Sequence, residues 1–299
     1  LFIAFAIFII GFAIYKISSK DTEEIAQNEI DNGQSTQDVE STLRIGIPEF
    51  DNINPLITDN KDIISLSTIL YEPLLGITSD YKIELKLAQE WSKSDSKTYL
   101  VKLKDNLKWE DGSSVTGEDV EFTIGKLQEG KSAYSDNVSN IKSVEIIDGN
   151  TVRINLKKEE PFFEYNLIFP IISKKQFEDE DFYESRIAPY ATGMYKVTAA
   201  TEESIELKQN DNWYDAQNTD RIIDTVIISF YDTIGDAYND MKIGNIDLVS
   251  TSKTNVEDYV GTIGLVCNSY KARELEFISM NWEYSILQDK EVRQAINYA

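Results

Sequence analysis

Four carboxylates close together are the residues of this chain whose types and spacing come nearest to catalytic machinery. Glu110 and Asp111 are followed by Glu118 and Asp119 within the stretch Leu107–Thr123, which reads LKWEDGSSVTGEDVEFT. Paired carboxylates can supply the acid and the base or nucleophile of glycoside hydrolysis. The chain has 52 acidic residues, however, so close pairs are frequent and the sequence marks out none of them.

Other kinds of catalytic chemistry find little support in the composition. The 299 residues include no His and one Cys, Cys267, so there is neither a His base or ligand nor an intrachain disulfide. The sequence has no GxGxxG, P-loop or GxSxG motif. A net charge of −23 argues against binding to nucleic acid, because phosphates would be repelled. We therefore predict no catalytic residue, no metal site, no cofactor and no nucleic-acid partner.

The elements that position the four carboxylates can be predicted from the same stretch. Asp111-Gly112 is a turn dipeptide, since Gly accepts the positive φ that such turns require. Thr116 stands at a helix N-cap position, with Asp119 three residues later as the second member of a capping box. The stretch thus predicts a strand, a turn and a capped helix, in which the acids shape the backbone.

The rest of the chain alternates between strand and helix patterns. Leu43, Ile45 and Ile47 alternate as in a strand, and residues 144–156 and 194–207 each predict a β-hairpin. Helical spacing covers residues 63–75, and Thr233 can cap a helix that ends before Gly244. A final helix can begin after Asp289. The pattern predicts a mixed α/β protein.

The stretch Leu107–Thr123 also resembles a known element, W-x-DG-x-x-(V/L)-T-x-x-DV-x-(F/Y), of the family 5 extracellular solute-binding proteins. These are the oligopeptide, dipeptide and nickel receptors of ABC importers. Further segments resemble other elements of that family in the same order, namely residues 43–75, 87–108, 189–214, 244–248 (GNIDL) and 277–299. Together they cover most of residues 43–299, and the ordered set is far more specific than any one member.

The resemblance implies a two-lobed fold of the class II periplasmic-binding-protein type. Mapped by motif order, residues 41–75 and 189–276 would form the first lobe, and residues 76–188 a subdomain inserted into it. Residues 277–299 would begin a second lobe, most of which we expect to lie beyond Ala299. The ligand cleft of the family lies between the lobes, so one wall of it is expected here.

The N-terminal residues predict a membrane attachment. Residues 1–15 are apolar or weakly polar, and no A-x-A-like cleavage site follows them. We expect an uncleaved anchor, with a cleaved signal peptide as the alternative. Residues 16–40 contain seven acids against two lysines and no aromatic residue, which predicts a disordered tether. The protein is then expected at the outer face of the cell membrane, although the lipidated Cys that anchors many Gram-positive relatives has no counterpart near this apolar run.

The resemblance also suggests which residues face a ligand. They are three residues after Asn54-Pro55, three after the GNIDL segment and two on the crossing strand: Thr58, Asp59, Asn60, Ser250, Thr251, Ser252, Asn281 and Trp282. Backbone-like donors and acceptors with an aromatic wall suit an extended peptide. For each residue, a solvated loop or a packing role is the competing interpretation.

The leading hypothesis is a monomeric, non-enzymatic receptor that captures an oligopeptide and delivers it to the permease subunits of an ABC transporter. Sugars and metal chelates stay open as ligands, although the absence of His disfavours direct capture of a metal. A peptide or pheromone sensor without transport is one alternative. A cell-surface hydrolase that uses paired carboxylates is the other.

Overall fold

The structure, a computed structural model, describes residues 41–48, 50–179, 181–220, 222–251, 264–268 and 278–298. The chain divides into two compact units, Leu1–Thr254 and Asn255–Ala299. The expected anchor and tether, residues 1–40, lie outside the described residues. Among the residues that the structure does describe, no helix is long and apolar enough to cross a membrane.

A five-stranded sheet in the order β11-β1-β10-β9-β8 forms the centre of the first unit. Its strands are β1 (Thr42–Pro48), β8 (Tyr195–Ala200), β9 (Ser204–Gln209), β10 (Thr225–Tyr231) and β11 (Leu248–Val249). β1 runs parallel to both β10 and β11, whereas β8, β9 and β10 are antiparallel neighbours. Alternate residues of β1, Leu43, Ile45 and Ile47, are buried in the core on this sheet, which confirms the strand predicted from their spacing.

Residues from Leu74 to Phe182 form most of a second layer, which has its own hydrophobic core. Its strands are β2 (Leu75–Ile77), β3 (Ile83–Leu85), β4 (Ala88–Asp95), β5 (Thr98–Leu103), β6 (Ile141–Asp148) and β7 (Thr151–Leu156). β2 and β3 pair with each other, and the other four form a sheet in the order β4-β5-β7-β6. The hairpin expected over residues 144–156 is the β6–β7 pair.

The helices of the first unit are mostly short. They are α1 (Lys61–Ser67), α2 (Gly117–Leu127), α3 (Ser135–Val138), α4 (Lys174–Phe177) and α5 (Ile234–Lys242), with a 3-10 helix at Phe163–Asn166. Helix α5 begins after Thr233, whose side chain accepts a hydrogen bond from the Asp236 N–H, and Gly244 follows it at φ +80°. Both ends agree with the prediction.

Helix α1 is shorter than its apolar spacing predicted, because it ends at Ser67 and not near Pro73. The carbonyl groups of Ile69 and Leu70 accept hydrogen bonds from the N–H groups of Tyr195 and Gly193, at 3.0 and 2.8 Å. In a helix that ran to Pro73 the Ile69 carbonyl would lack a partner, since Pro73 has no N–H, and the segment at Gly193–Tyr195 supplies these bonds instead. A tertiary contact therefore overrides local helical preference here.

The stretch Leu107–Thr123 adopts the predicted turn and capped helix, but the strand expected before the turn is only an isolated bridge between Lys108 and Ser114. Gly112 has φ +83°, and Asp111 Oδ1 accepts a hydrogen bond from the Ser113 N–H at 2.8 Å. Thr116 caps α2, and Asp119 Oδ2 accepts a hydrogen bond from the Thr116 N–H at 2.8 Å, which completes the capping box.

Buried polar contacts join the second layer to the segment around β8 and β9. The indole N–H of Trp213 donates to the buried Glu72 carboxylate at 3.1 Å. Asn212 Nδ2 donates to the carbonyl oxygens of Trp109 and Glu110, and Glu110 Oε2 accepts from the Ala191 N–H at 2.8 Å. These bonds join the second layer to the segments next to the central sheet.

Replacing Glu72 with Gln should reduce the loss of stability as the pH rises. Burial raises the pKa of Glu72 above its ordinary value of 4.5, although Lys86 and the Trp213 N–H oppose this shift. The folded state then binds the proton more tightly, so stability is fullest below about pH 4.5 and falls as the pH rises through the raised pKa. Urea unfolding of Glu72→Gln at pH 4.5 and 7.5 should show a smaller difference than the native protein shows. The exposed Glu90→Gln should leave the native difference unchanged, and an equally steep dependence in Glu72→Gln would contradict this account.

The second unit contains α6 (Ser285–Gln288) and α7 (Lys290–Tyr298). Asp289 Oδ1 accepts a hydrogen bond from the Glu291 N–H at 2.8 Å, in the position expected for a helix start. Cys267 is exposed and forms no disulfide with another described residue.

Candidate functional site

The three parallel strands of the central sheet end at the same edge. Pro48, the last residue of β1, lies opposite Tyr231, the last residue of β10, and β11 ends at Val249 beside Gly46. In open sheets with parallel strands, ligands bind outside the carboxyl ends of the strands. We call the described residues 50–60, 201–203, 232–233 and 250–251 the carboxyl edge.

The loop after β1 contains three of the predicted ligand residues, and two of them organise the loop itself. Thr58 is buried, and its Oγ1 lies 2.6 and 2.7 Å from the two carboxylate oxygens of Asp51. The same oxygen accepts a hydrogen bond from the Asn60 N–H at 2.9 Å. Asn60 Oδ1 in turn caps α1, at 2.9 Å from the Asp62 nitrogen. Asp59, between them, points an exposed side chain outward.

Replacing Thr58 with Val should loosen this loop. The variant keeps the side-chain volume but loses the hydrogen bonds to Asp51 and Asn60, which we expect to cost about 1–2 kcal/mol. Urea unfolding measures the loss. Thr58→Ser, which retains the hydroxyl, is the matched control and should recover most of the stability. A loss of stability in Thr58→Ser together with native stability in Thr58→Val would mean that the methyl packing, and not the hydroxyl, holds the loop.

The segment after β11 reaches the same edge by a different route. Ser250 is exposed and Thr251 is half-buried, and both follow directly on the strand that pairs with β1. The structure therefore brings Ser250 and Thr251 to the edge that also carries Thr58–Asn60. Ser252 lies outside the described residues.

An aromatic pair at this edge was missed by the sequence analysis. The rings of Phe50 and Phe230 stack with centroids 4.1 Å apart and planes 14° from parallel, and both residues are half-buried. Phe230 lies in β10 opposite Ile47 of β1, and its N–H donates to the Glu203 carbonyl at 2.9 Å. Nothing in one sequence reveals that two segments so far apart pair as parallel strands.

Asn281 and Trp282 belong to the second unit and are described only within it. Asn281 Oδ1 accepts a hydrogen bond from the Glu283 N–H at 2.9 Å, as at the start of a turn. Trp282 is exposed, and the Arg293 guanidinium lies 4.2 Å from the centre of its ring. Within this unit the ring therefore stacks on a cation.

The four carboxylates of the stretch Leu107–Thr123 lie in the second layer and not at the carboxyl edge, and each has a bonding partner. Glu110 and Asp119 accept backbone N–H groups, Asp111 accepts from Ser113, and Glu118 lies 2.8 Å from Lys174 Nζ. A surface cavity of about 230 Å3 adjoins Glu118 and Asp119. Burial raises the pKa of Asp119, and backbone N–H groups of Thr116 and Lys174 oppose this shift. These roles are structural.

Metal ligation also finds no candidate among the described residues. In that part of the chain, no group of three or more acidic or Cys side chains is placed to hold a metal ion.

Comparisons with known proteins identify similar chains. The family model of the bacterial extracellular solute-binding proteins, family 5 (middle), matches residues 82–299. The oligopeptide-binding protein AppA of Bacillus subtilis is 24% identical over 269 residues, covering 85% of this chain and 48% of AppA.

Two solved structures have a similar fold. NikZ from Campylobacter jejuni, in complex with Ni(L-His), gives a TM-score of 0.64 at 28% identity, over 86% of this chain and 52% of NikZ. The structure of Bacillus subtilis AppA with a nonapeptide gives a TM-score of 0.65 at 23% identity, over 75% of this chain and 47% of AppA. This chain spans about half the length of these relatives.

Proposed function

Because this chain belongs to the family 5 bacterial extracellular solute-binding proteins, we propose that it is part of a receptor that captures an oligopeptide and delivers it to an ABC permease. The family match over residues 82–299 is the observation that carries the proposal. It confirms the resemblance and the mixed α/β fold class expected from the sequence. The family consists of substrate-binding receptors and not of enzymes, so binding without turnover is the expected activity.

The ligand class is proposed from the relatives and from the chemistry of the carboxyl edge. AppA is an oligopeptide-binding protein whose structure holds a nonapeptide, whereas NikZ holds Ni(L-His). A peptide suits the exposed Asp59 and Ser250, the half-buried Thr251 and the Phe50–Phe230 pair better than a metal chelate does. Polar groups beside an aromatic surface can contact both the backbone and the side chains of a peptide.

The remaining predicted contacts and boundaries stay part of the proposal. We propose that the ligand contacts the eight residues that the resemblance indicates, namely Thr58, Asp59, Asn60, Ser250, Thr251, Ser252, Asn281 and Trp282. Thr58 and Asn60 would then act chiefly by holding the loop that presents Asp59. Residues 41–75 and 189–276 would form the first lobe, with residues 76–188 inserted and residues 277–299 starting the second.

The experiment is native mass spectrometry of the complete receptor, purified without denaturation from its source cells. A series of bound masses, identified after unfolding of the receptor as peptides of mixed sequence, supports the proposal. A released sugar, a metal chelate or the absence of any ligand from repeated preparations contradicts it. Incubation of the receptor with a peptide mixture tests the hydrolase alternative, since shortened peptides would indicate turnover and stoichiometric binding would not.

Delivery to a permease needs a separate test in cells. Deletion of the receptor should abolish uptake of a labelled peptide that the purified receptor binds. Normal uptake in the deletion strain, together with a lost response to the peptide, would favour a sensor without transport.

The mode of membrane attachment is a further part of the proposal. We propose that residues 1–15 anchor the receptor and that the acidic residues 16–40 tether it at the outer face of the cell membrane. Fractionation of cells should find the intact N-terminus in the membrane pellet. Recovery of a receptor that lacks residues 1–15 from the soluble fraction would show cleavage instead.

A further inference from the structure

The Phe50–Phe230 pair gives the carboxyl edge an apolar surface that is only half-buried. Phe50 lies two residues after the end of β1, and Phe230 is the penultimate residue of β10, so parallel pairing of the two strands brings both residues to the same edge. Aromatic faces attract cations, because the π-system presents negative charge above the ring.

Acidic residues lie on several elements of the carboxyl edge that carries this aromatic pair. Asp51 follows Phe50, Asp232 follows β10, and Glu203 lies in the β8–β9 turn, where its carbonyl accepts the Phe230 N–H at 2.9 Å. All three residues are exposed, as are Glu202 in the same turn and Asp59 in the loop after β1.

Cations are fewer at the same edge. They are Lys61, the first residue of α1, and Arg186. Arg186 Nη1 donates to the backbone carbonyl oxygen of Asp51 at 3.4 Å, whereas the Asp51 carboxylate accepts a hydrogen bond from Thr58. Among the described residues at and next to this edge, five carboxylates outnumber these two cations, which gives the edge a negative potential.

We propose that the carboxyl edge selects peptides that carry a cationic side chain, lysine or arginine, over neutral and acidic ones. The cationic group lies against the Phe50–Phe230 pair, among the carboxylates of Asp51, Glu203 and Asp232. The proposal rests on the proposed function and adds the chemical class of the peptide. An aromatic surface with carboxylates beside it stabilises a cation by two interactions, attraction to the ring faces and ion pairing with the carboxylates.

The test compares three peptides that differ at one position. The peptides are Ala-Ala-Lys-Ala-Ala, the same sequence with acetyl-lysine, and the same sequence with glutamate. Acetylation keeps the length and apolar stem of lysine but removes its charge, so this pair isolates the cationic group. Isothermal titration of the complete receptor, freed of any co-purified ligand by unfolding and refolding, gives each Kd.

The lysine peptide should bind about fivefold to tenfold more tightly than the acetyl-lysine peptide at low salt, and the glutamate peptide most weakly. The lysine preference should shrink at high salt, since exposed carboxylates are screened. Asp232→Asn and Glu203→Gln should each reduce the preference, and Phe50→Leu should reduce it while retaining an apolar side chain. Glu90→Gln removes an exposed carboxylate from β4 and is the matched control, which should keep the native preference.

The outcomes separate this inference from the proposed function. If all three peptides bind with equal affinity, charge selection is wrong while peptide capture stands. If the preference exists but survives in Asp232→Asn, Glu203→Gln and Phe50→Leu alike, another part of the receptor supplies it and the assignment to this edge is wrong. If no peptide binds to a receptor that retains its native circular dichroism, peptide capture fails and the inference fails with it.

Discussion

Replacing Trp109 with alanine is expected to lower the free energy of unfolding by about 3–5 kcal/mol, the cost of removing a large aromatic side chain from a packed core. Trp109 is 1% exposed and belongs to the core of the second layer, just before the Asp111-Gly112 turn. Neighbouring groups are held by the β-sheet and by α2, so they cannot collapse fully into the space. The midpoint of thermal unfolding, followed by far-ultraviolet circular dichroism, should fall by about 10 °C.

The control for this prediction is Trp91→Ala, the same chemical change at a half-exposed position on β4. We expect it to cost about 1–2 kcal/mol, because less apolar surface is taken from the core. Equal effects at the two positions would contradict the packing argument. If Trp109→Ala does not fold, Trp109→Phe leaves a smaller cavity and should lower stability by less than the loss expected for Trp109→Ala.

Replacing Gly193 with alanine is the second change expected to have a large effect, with a loss of about 3 kcal/mol. A Cβ at this position would lie 2.6 Å from the Ile69 carbonyl oxygen and 2.8 Å from the Leu70 carbonyl carbon. Both contacts are with backbone, which cannot rotate away as a side chain can. Relief requires separation of the two segments, at the expense of the Gly193 and Tyr195 hydrogen bonds to Leu70 and Ile69. Urea unfolding at constant pH measures the loss.

Gly125→Ala is the matched control for this substitution. Gly125 is exposed and lies within α2, away from its ends, and an added Cβ meets no atom within 4 Å. Alanine has a higher helix propensity than glycine, so this variant should gain about 1 kcal/mol. Opposite signs for the two Gly-to-Ala changes are the expected result. Stabilisation by both would show that the chain at Gly193 adjusts at little cost.

Several elements could be predicted from the sequence because local physics decides them. The alternation of Leu43, Ile45 and Ile47 follows from the twofold repeat of a strand with one buried face. The cap at Thr116 and the turn at Asp111-Gly112 depend on hydrogen bonds and dihedral angles within a few residues. Helix α1 was predicted too long, because the backbone after Ser67 bonds to a segment more than 100 residues away.

The candidate site could be predicted only in part. Sequence resemblance pointed to Thr58–Asn60 and to Ser250 and Thr251, and the structure brings these residues to one sheet edge. The resemblance did not reveal that the Thr58 and Asn60 side chains form hydrogen bonds within the loop. A hydroxyl bonded to Asp51 and a hydroxyl bonded to a ligand cannot be told apart from the sequence. The Phe50–Phe230 pair depends on parallel pairing of β1 with β10 and could not be predicted.

The sequence by itself determined the family, the mixed α/β class, the hairpins and the helix starts, because each arises from residues close together along the chain. Only the tertiary structure decided which loops meet and which aromatic rings stack. It also decided which carboxylates of the stretch Leu107–Thr123 accept hydrogen bonds from backbone N–H groups. The physical reason is that strand pairing across long sequence separations follows from the burial of whole sheets, and no single segment of the sequence specifies its partner.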